Sequence, residues 1–345
     1  MKNDLTIRRR VFLKTVLATS AYAAFPWKNT LLGAEAITSD KWGKLLPQRP
    51  LGDSGYNVTT LCIGGGHVAS DMSDAESEKL IDASIEQGVR FFDTAESYGK
   101  GESEERYGRY LCPKYRKEVF LMTKTRATTA KEAEEHLNGS LSRMKTDYLD
   151  LWQMHSITTP QDVDNRLKGG VLDFMLEAQQ AGKVKTLGFT GHTTTEGMTY
   201  MLEKLQELGT PLQACQMPIN VVDPQYESFI VNVLPKLVEQ KYGVLAMKTL
   251  AYGQLLGKQT SWKRNRRGDI KTVVGSEGPV TLPEALGFVW SMPVASLVSG
   301  VTTIPILEEN CEICRSYPKL DEPQRTAIIE KVADAGGPMM EFYKA

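Results

Sequence analysis

Histidine and cysteine are scarce in this chain, with four and five among 345 residues. The cysteines, at 62, 112, 215, 311 and 314, are odd in number, and the one CxxC, Cys311–Cys314, has no second pair or nearby His to complete a zinc site. On a helical pattern those two thiols sit one turn apart, where packing is the ordinary role and redox or metal work the alternative. An excess of one charge sign is also lacking: the net charge is −1, so nothing global points to nucleic acid. No apolar run is long enough to span a bilayer. Nor is there a GxGxxG opening a first helix; Gly64-Gly65-Gly66 lacks the third, spaced glycine, which argues against an open dinucleotide-binding sheet. Linkers, low-complexity segments and residue-level repeats are missing too. What remains is a 41% hydrophobic, 24% charged chain, the balance of a soluble globular protein.

The N-terminus departs from this even composition. Arg8-Arg9-Arg10-Val11-Phe12-Leu13-Lys14 precedes a short apolar run, Thr15–Phe25, and Ala34-Glu35-Ala36 offers a small-x-small cleavage site. Basic, apolar and cleavage regions in that order resemble a twin-arginine (Tat) export signal. The alternatives are a basic amphipathic helix on a cytoplasmic protein, or an uncleaved anchor. The expectation is a signal over 1–36 and a single catalytic domain over 37–345, exported folded by the Tat machinery to the periplasm or another extracytoplasmic space. No stable membrane anchor is expected after cleavage. Removing 1–36 takes the net charge from −1 to −5, so the basic character belongs to the leader.

From Leu46 onward, turn signals and alternating patterns take over. Leu46–Asn57 carries Gly52-Asp53 and Ser54-Gly55 and reads as a short hairpin. Eight strand patterns then alternate with helical ones: Thr59–Ile63, Val89–Phe92, Val119–Thr123, Tyr148–Met154, Lys185–Phe189, Leu212–Met217, Val244–Met247 and Ser296–Ser299. The helical patterns are Ala75–Gln87, Glu102–Leu111, Ala130–Arg143, Val171–Ala181, Glu196–Leu208, Tyr226–Gln240, Leu282–Trp290, Glu308–Arg315 and Glu322–Ala333. That order predicts an α/β (β/α)8 TIM barrel preceded by the hairpin. The stretch Ala251–Gly278 is too long for an ordinary turn and reads as a functional loop.

In such a barrel the C-terminal strand ends carry the chemistry. Here the second strand delivers Asp93 and, five residues on, Tyr98; the third delivers Lys124; the fourth delivers His155. A carboxylate, a phenol, an amine and an imidazole around one mouth suit reduction of a carbonyl. A phenol with a pKa near 10 needs a neighbouring ammonium to give up its proton at neutral pH. A carboxylate keeps that ammonium charged and aimed. The imidazole hydrogen-bonds the substrate oxygen. Tyr98 is then acid for reduction and base for oxidation.

From about Arg49 to its C-terminal helices the chain resembles the aldo/keto reductase family. The most specific part is Gly88, Asp93, Thr94, Ala95, Tyr98 and Gly99, which meet the pattern Gly-x-x-x-x-Asp-Thr-Ala-x-x-Tyr-Gly. The resemblance implies that Asp93, Tyr98, Lys124 and His155 are the catalytic tetrad, with NADP, or NAD, extended across the barrel mouth. It places Gln216 and Thr190 on the nicotinamide amide, Gly191 where the family has Asn, and Met247 where an aromatic ring commonly stacks. Lys248, Leu250 and Gly253 fall along the pyrophosphate. Gly300, Thr302 (or Thr303), Glu309 and Asn310 fall along the adenosine end, where Ile306 stands near the place of a 2′-phosphate partner. The basic run Trp262–Lys271 is a candidate phosphate clamp or anion attractor, with a solvated surface loop as the alternative. His67 and His192, at strand ends, are candidates to meet substrate or to be structural, and His136 is expected on a helix surface. The substrate expected is a small aldehyde, ketone or sugar. Two further readings stand beside this one: a cofactor-binding or regulatory barrel without catalysis, and an exported oxidoreductase or isomerase that retains its nucleotide.

Overall fold

The structure is a computed structural model that describes residues 37–70, 72–210, 212–257, 278–317 and 319–344. The leader 1–36 and the basic run Trp262–Lys271 lie outside the described residues. Two small antiparallel hairpins come first: β1 (Ser39–Asp40) with β2 (Gly43–Lys44), and β3 (Gln48–Pro50) with β4 (Asn57–Thr59). The second is the hairpin expected from the turn signals. Then β5 (Leu61–Gly64), β6 (Phe91–Asp93), β7 (Phe120–Thr125), β8 (Leu149–Met154), β9 (Val184–Thr190), β10 (Ala214–Pro218), β11 (Gly243–Met247) and β12 (Ser296–Ser299) form a closed parallel barrel in chain order. The seam is β12 against β5, through Leu297–Leu61, Val298–Cys62 and Ser299–Ile63.

Side chains alternate across each strand, so a parallel barrel builds two cores from one set of strands. Leu121, Trp152, Met154, Phe189 and Cys215 face outward into the main core with the helices. Cys62, Phe91, Met122, Leu151, Ala214, Leu245 and Val298 face the axis. Leu51 and Val58 of the β3–β4 hairpin join that inner core and stop the barrel at its N-terminal end. One period further up, Phe91 is followed by Asp93, Met122 by Lys124, Leu151 by Gln153 and Ala214 by Gln216. All four polar residues are buried. The same alternation that fills the floor with hydrocarbon thus lifts a polar layer into the mouth.

The longer helices among the described residues are α1 (Asp74–Glu86), α2 (Ala130–Met144), α3 (Pro160–Lys168), α4 (Val171–Gln180), α5 (Thr195–Glu207), α6 (Leu282–Trp290), α7 (Ile304–Ser316) and α8 (Glu322–Lys331). Capping boxes start α1 at Ser73, α2 at Thr129, α6 at Thr281 and α8 at Asp321. Gly88, just after α1, adopts φ 85, and a Cβ there would lie 2.4 Å from the carbonyl oxygen of Lys44. This is the left-handed stop its position suggests.

Several elements differ from the expected pattern. Helix α3 was not expected because PQDVDNRLK carries only two apolar residues, Val163 and Leu167; Thr159 as N-cap and Pro160 in the first turn start it. The single helix expected over Tyr226–Gln240 is two short ones, Phe229–Asn232 and Leu234–Glu239, with Pro235 opening the second. The helix after Glu102 passes through a π-helical turn, Tyr107–Leu111. Lys124 lies within β7 rather than after it.

Candidate active site

Strands β6, β7 and β8 stand side by side, so the expected tetrad converges. Asp93 ends β6 and lies opposite Met122, one pleat below Lys124. The Lys124 ammonium pairs with Asp93 Oδ1, donates to the carbonyl oxygen of Thr94 at 2.7 Å, and reaches the Tyr98 hydroxyl at 3.4 Å. It also lies 4.8 Å from the centre of the Tyr98 ring. Tyr98 occupies a tight turn in which Gly99 and Lys100 both have φ 59, so the chain reverses quickly enough to bring the phenol back over Lys124. His155 follows β8, donates its backbone N–H to Thr125 at 2.8 Å, and meets the Tyr98 ring edge-on at 5.8 Å.

The electrostatics of this cluster follow from burial opposed by pairing. Lys124 is 1% exposed; burial pulls its pKa down, but the charges of Asp93 and Tyr98 more than offset this and hold it above the usual value. Burial raises Asp93, against the pull of Lys124 and a hydrogen bond from Gln216. His155 is pushed well below the ordinary imidazole value, by burial first and then by the Lys124 charge. Its ring is therefore neutral at physiological pH, and its Nδ1 is buried without a partner.

Gln216 was expected near a cofactor amide. Its Oε1 accepts from Gln153 Nε2 at 3.1 Å, while its side chain also hydrogen-bonds Asp93. One donor hydrogen and one lone pair are left over. Thr190 Oγ1 accepts the Ser156 backbone N–H at 3.0 Å and keeps its own hydrogen to donate. A Cβ on Gly191 would lie 2.3 Å from Met198 Sδ, so no larger residue fits there without movement. Met247 ends β11, half-buried. Lys248 beyond it has φ 58, donates to the Tyr252 hydroxyl at 2.5 Å, and has its pKa lowered by burial. Leu250 packs on the main core, and Gly253 has φ 87 in the turn Ala251–Leu256.

The β12 end forms a separate group. Gly300 lies under His67, whose Cδ2 and Nε2 would be 2.6 Å from any Cβ there. Asn310, on α7, is buried and donates to Ser299 Oγ at 3.0 Å, whereas its neighbour Glu309 is exposed and Thr302 is half-buried. The residues expected along an extended dinucleotide thus sit at and beyond the ends of the adjacent strands β9 to β12, and the spare donors of Thr190 and Gln216 fit such a group. Cys311 and Cys314 are both buried, with burial pushing the thiols up to about 12 and about 11, and Cys314 Sγ sits 3.1 Å from Thr60 Oγ1. That is packing. No group of three residues able to hold a metal occurs among the described residues.

Sequence reasoning missed three features. Gln153 lies on the inward phase of β8, two residues past Leu151, a signal that strand periodicity could have given. Arg126, just after β7, and Arg166, on α3 after β8, reach His155 electrostatically. The C-terminal segment was read only up to its last helix, yet it folds back over β10 and β11. Tyr343 donates to Glu341 at 2.8 Å and accepts from Asn220 at 2.9 Å, Lys344 bonds Asp223 at 2.7 Å, and the Tyr343 carbonyl meets His192 Nδ1 at 3.2 Å. His192 is thereby held on this segment, and burial lowers its pKa to about 4. His136, expected on the surface, is half-buried and bonds Thr125 at 2.8 Å.

A closed parallel barrel on a (β/α)8 scaffold thus carries a buried Asp–Lys pair beneath a Tyr and a neutral His at its C-terminal mouth. Residues 60–331 match the model of the aldo/keto reductase family, and the chain belongs to that family of oxidoreductases. Aldo-keto reductase YhdN of Bacillus subtilis is 29% identical over 227 residues, covering 61% of this chain and 64% of YhdN, just under two thirds of that relative's length. L-galactose dehydrogenase of Arabidopsis thaliana is 23% identical over 323 residues, covering 84% of this chain and 96% of the enzyme. The holo form of aldo-keto reductase AKR11C1 from Bacillus halodurans shares the fold with a TM-score of 0.67 at 19% identity, over 83% of this chain and 96% of that one.

Proposed function

We propose that this protein interconverts a carbonyl and an alcohol with a nicotinamide cofactor, NADP by family habit with NAD as the alternative, and that Tyr98 moves the proton. The single observation behind this reading is the Lys124 ammonium, fixed by Asp93 and aimed at the Tyr98 hydroxyl at 3.4 Å. When bound, the nicotinamide supplies or accepts the hydride. The chain's residues do the rest. Tyr98 donates its proton to the carbonyl oxygen as negative charge develops there. Lys124 stabilises the resulting phenolate. The neutral His155 ring donates one N–H to the same oxygen and fixes its direction. Thr190, Gln216, Met247, Lys248, Leu250, Gly253, Gly300, Thr302, Glu309 and Asn310 are proposed to hold the dinucleotide. Small aldehydes, ketones and sugars are the substrate class; the names L-galactose dehydrogenase and 6-dehydroglucose reductase among the relatives favour sugars.

Tyr98→Phe should lower turnover by roughly 10²- to 10⁴-fold, the usual contribution of a positioned acid, while nucleotide affinity measured by fluorescence titration stays close to wild type. Undiminished turnover would sink the mechanism. Export by the Arg8–Lys14 leader is proposed on the sequence alone. In that case a tightly held nucleotide, regenerated on the enzyme, fits a compartment where free cofactor is not expected to be plentiful. A protein purified without nucleotide and binding it only at micromolar strength or weaker would count against retention.

A further inference from the structure

Alternation carries the inward face of β7 from Met122 to Lys124 and on to Arg126, just past the strand end. His155 follows β8 in the same phase, and its ring does face the mouth. Arg126 is exposed, and its guanidinium forms no ion pair or hydrogen bond with the described residues; only its backbone N–H is engaged, by Glu96 Oε1 at 3.0 Å. Its charge is felt by His155 and His192, which belong to two other strands, and that agrees with a position over the axis. From the next loop, α3 presents Arg166, which is 5% exposed. Its Nε is answered by Asp162 at 2.9 Å, and its Nη1 is buried without a partner.

Each nearby carboxylate is engaged through at least one oxygen. Asp93 holds Lys124, Asp162 holds Arg166 Nε, and Glu96 turns to the Arg126 backbone and toward His136 at 3.9 Å. The Arg126 guanidinium is thus left without an ion-pair partner among the described residues. Unpartnered polar atoms gather around it. Of ten buried side-chain atoms lacking a hydrogen bond among the described residues, four are Glu96 Oε2, His155 Nδ1, Ser156 Oγ and Arg166 Nη1. They belong to the two loops that flank the Arg126 loop. Arg166 Nη1 and Ser156 Oγ are donors, His155 Nδ1 is one in one tautomer, and Glu96 Oε2 is an acceptor; leaving such buried groups unmade is costly, and the usual remedy is a ligand or ordered water.

We propose that the mouth between the β7 and β8 loops is a subsite for an oxyanion, so that the carbonyl substrate carries a carboxylate or phosphate held by Arg126 with Arg166 behind it. This rests on the oxidoreductase reading above and narrows its substrate class. Guanidinium suits either oxyanion through paired N–H donors.

Two substrate pairs test it with the nucleotide-loaded protein: 4-oxobutanoate against butanal, and glyceraldehyde 3-phosphate against glyceraldehyde. The charged member should have the higher kcat/KM in at least one pair, and which pair responds separates carboxylate from phosphate. Arg126→Gln should reduce that charged-to-neutral ratio by about 10-fold, as expected for a lost charge-assisted hydrogen bond. Equal ratios in wild type and variant, or a preference for both neutral members, would overturn the subsite while leaving the oxidoreductase reading intact. Calorimetric titration with succinate and with inorganic phosphate needs no turnover. At least one should bind wild type about 10-fold more tightly than Arg126→Gln. If no carbonyl is turned over, the oxidoreductase reading fails and these titrations alone decide the subsite. Arg126 is exposed, so its replacement leaves the fold in place; Arg166→Gln, with folding checked by circular dichroism, should shift the same ratio in the same direction.

Discussion

At the scale of single residues, the site is a chain of groups that fix one another. Gln153 donates to Gln216, Gln216 bonds Asp93, Asp93 holds Lys124, and Lys124 faces Tyr98. The Asp93–Lys124 pair is buried, so removing one partner strands the other's charge. Asp93→Ala is expected to cost about 3–5 kcal/mol in urea unfolding, with turnover lost as well. Asp93→Ala with Lys124→Met should recover part of the stability and none of the activity. Gln153 touches no reacting atom and is a positioning residue. Gln153→Leu should lower kcat by roughly 10-fold, of the order of one lost buried hydrogen bond, and Gln153→Glu should shift the pH profile of kcat by placing a second carboxyl in the network of Gln216 and Asp93. A variant with wild-type kcat and pH profile would show that the Gln153–Gln216 contact is only packing. The tetrad was legible in the sequence because Asp93, Lys124 and His155 fall at or beside the ends of neighbouring strand patterns, and Tyr98 follows Asp93 in the same loop. Gln153 was not, because a glutamine inside an apolar run carries no signal until the inward phase of β8 is known.

At the scale of elements, the folded-back C-terminus brings two carboxyls and one ammonium together, Asp223, Glu341 and Lys344, all fully buried. Burial, reinforced by the Asp223 charge, raises Glu341 to about 7. A proton on Glu341 leaves the cluster neutral. The folded state then holds a proton that the unfolded chain has released above 4.5, so stability falls as pH rises through the window from about 4.5 to about 7. Glu341→Gln should flatten the thermal midpoint between pH 5 and pH 8; an unchanged slope would show that the acid is ionised throughout. His192 works in the opposite sense. With its pKa at about 4, it contributes stability that is present above 6.5 and is lost as pH falls toward 4, and His192→Gln should remove that loss. These elements show where sequence reading stops. Barrel strands and capped helices announce themselves through periodicity and N-caps. Helix α3 has only two apolar residues, Val163 and Leu167, to mark its stripe, and the C-terminal segment owes its place to three charged side chains scattered from 223 to 344, which no local pattern links.

At the scale of the whole molecule, the order of elements along the chain was readable because every parallel crossover needs a helix, and that alternation leaves a mark in the sequence. The leader is a separate question, decided outside the barrel: replacing Arg9 and Arg10 by lysine should abolish export in a secretion assay, and unaltered export would make the arginine pattern incidental. The seam between β12 and β5 has its own implication, in time rather than space. Leu61 waits for Leu297, so a growing chain carries a sheet with two bare edges until more than two hundred residues have followed its first barrel strand. A ribosome that stalls or terminates before Ser299 therefore releases an open, adhesive sheet rather than a smaller barrel. The last strand acts as a proofreading mark for synthesis: only a chain translated past β12 can stop being a target for chaperones and proteases.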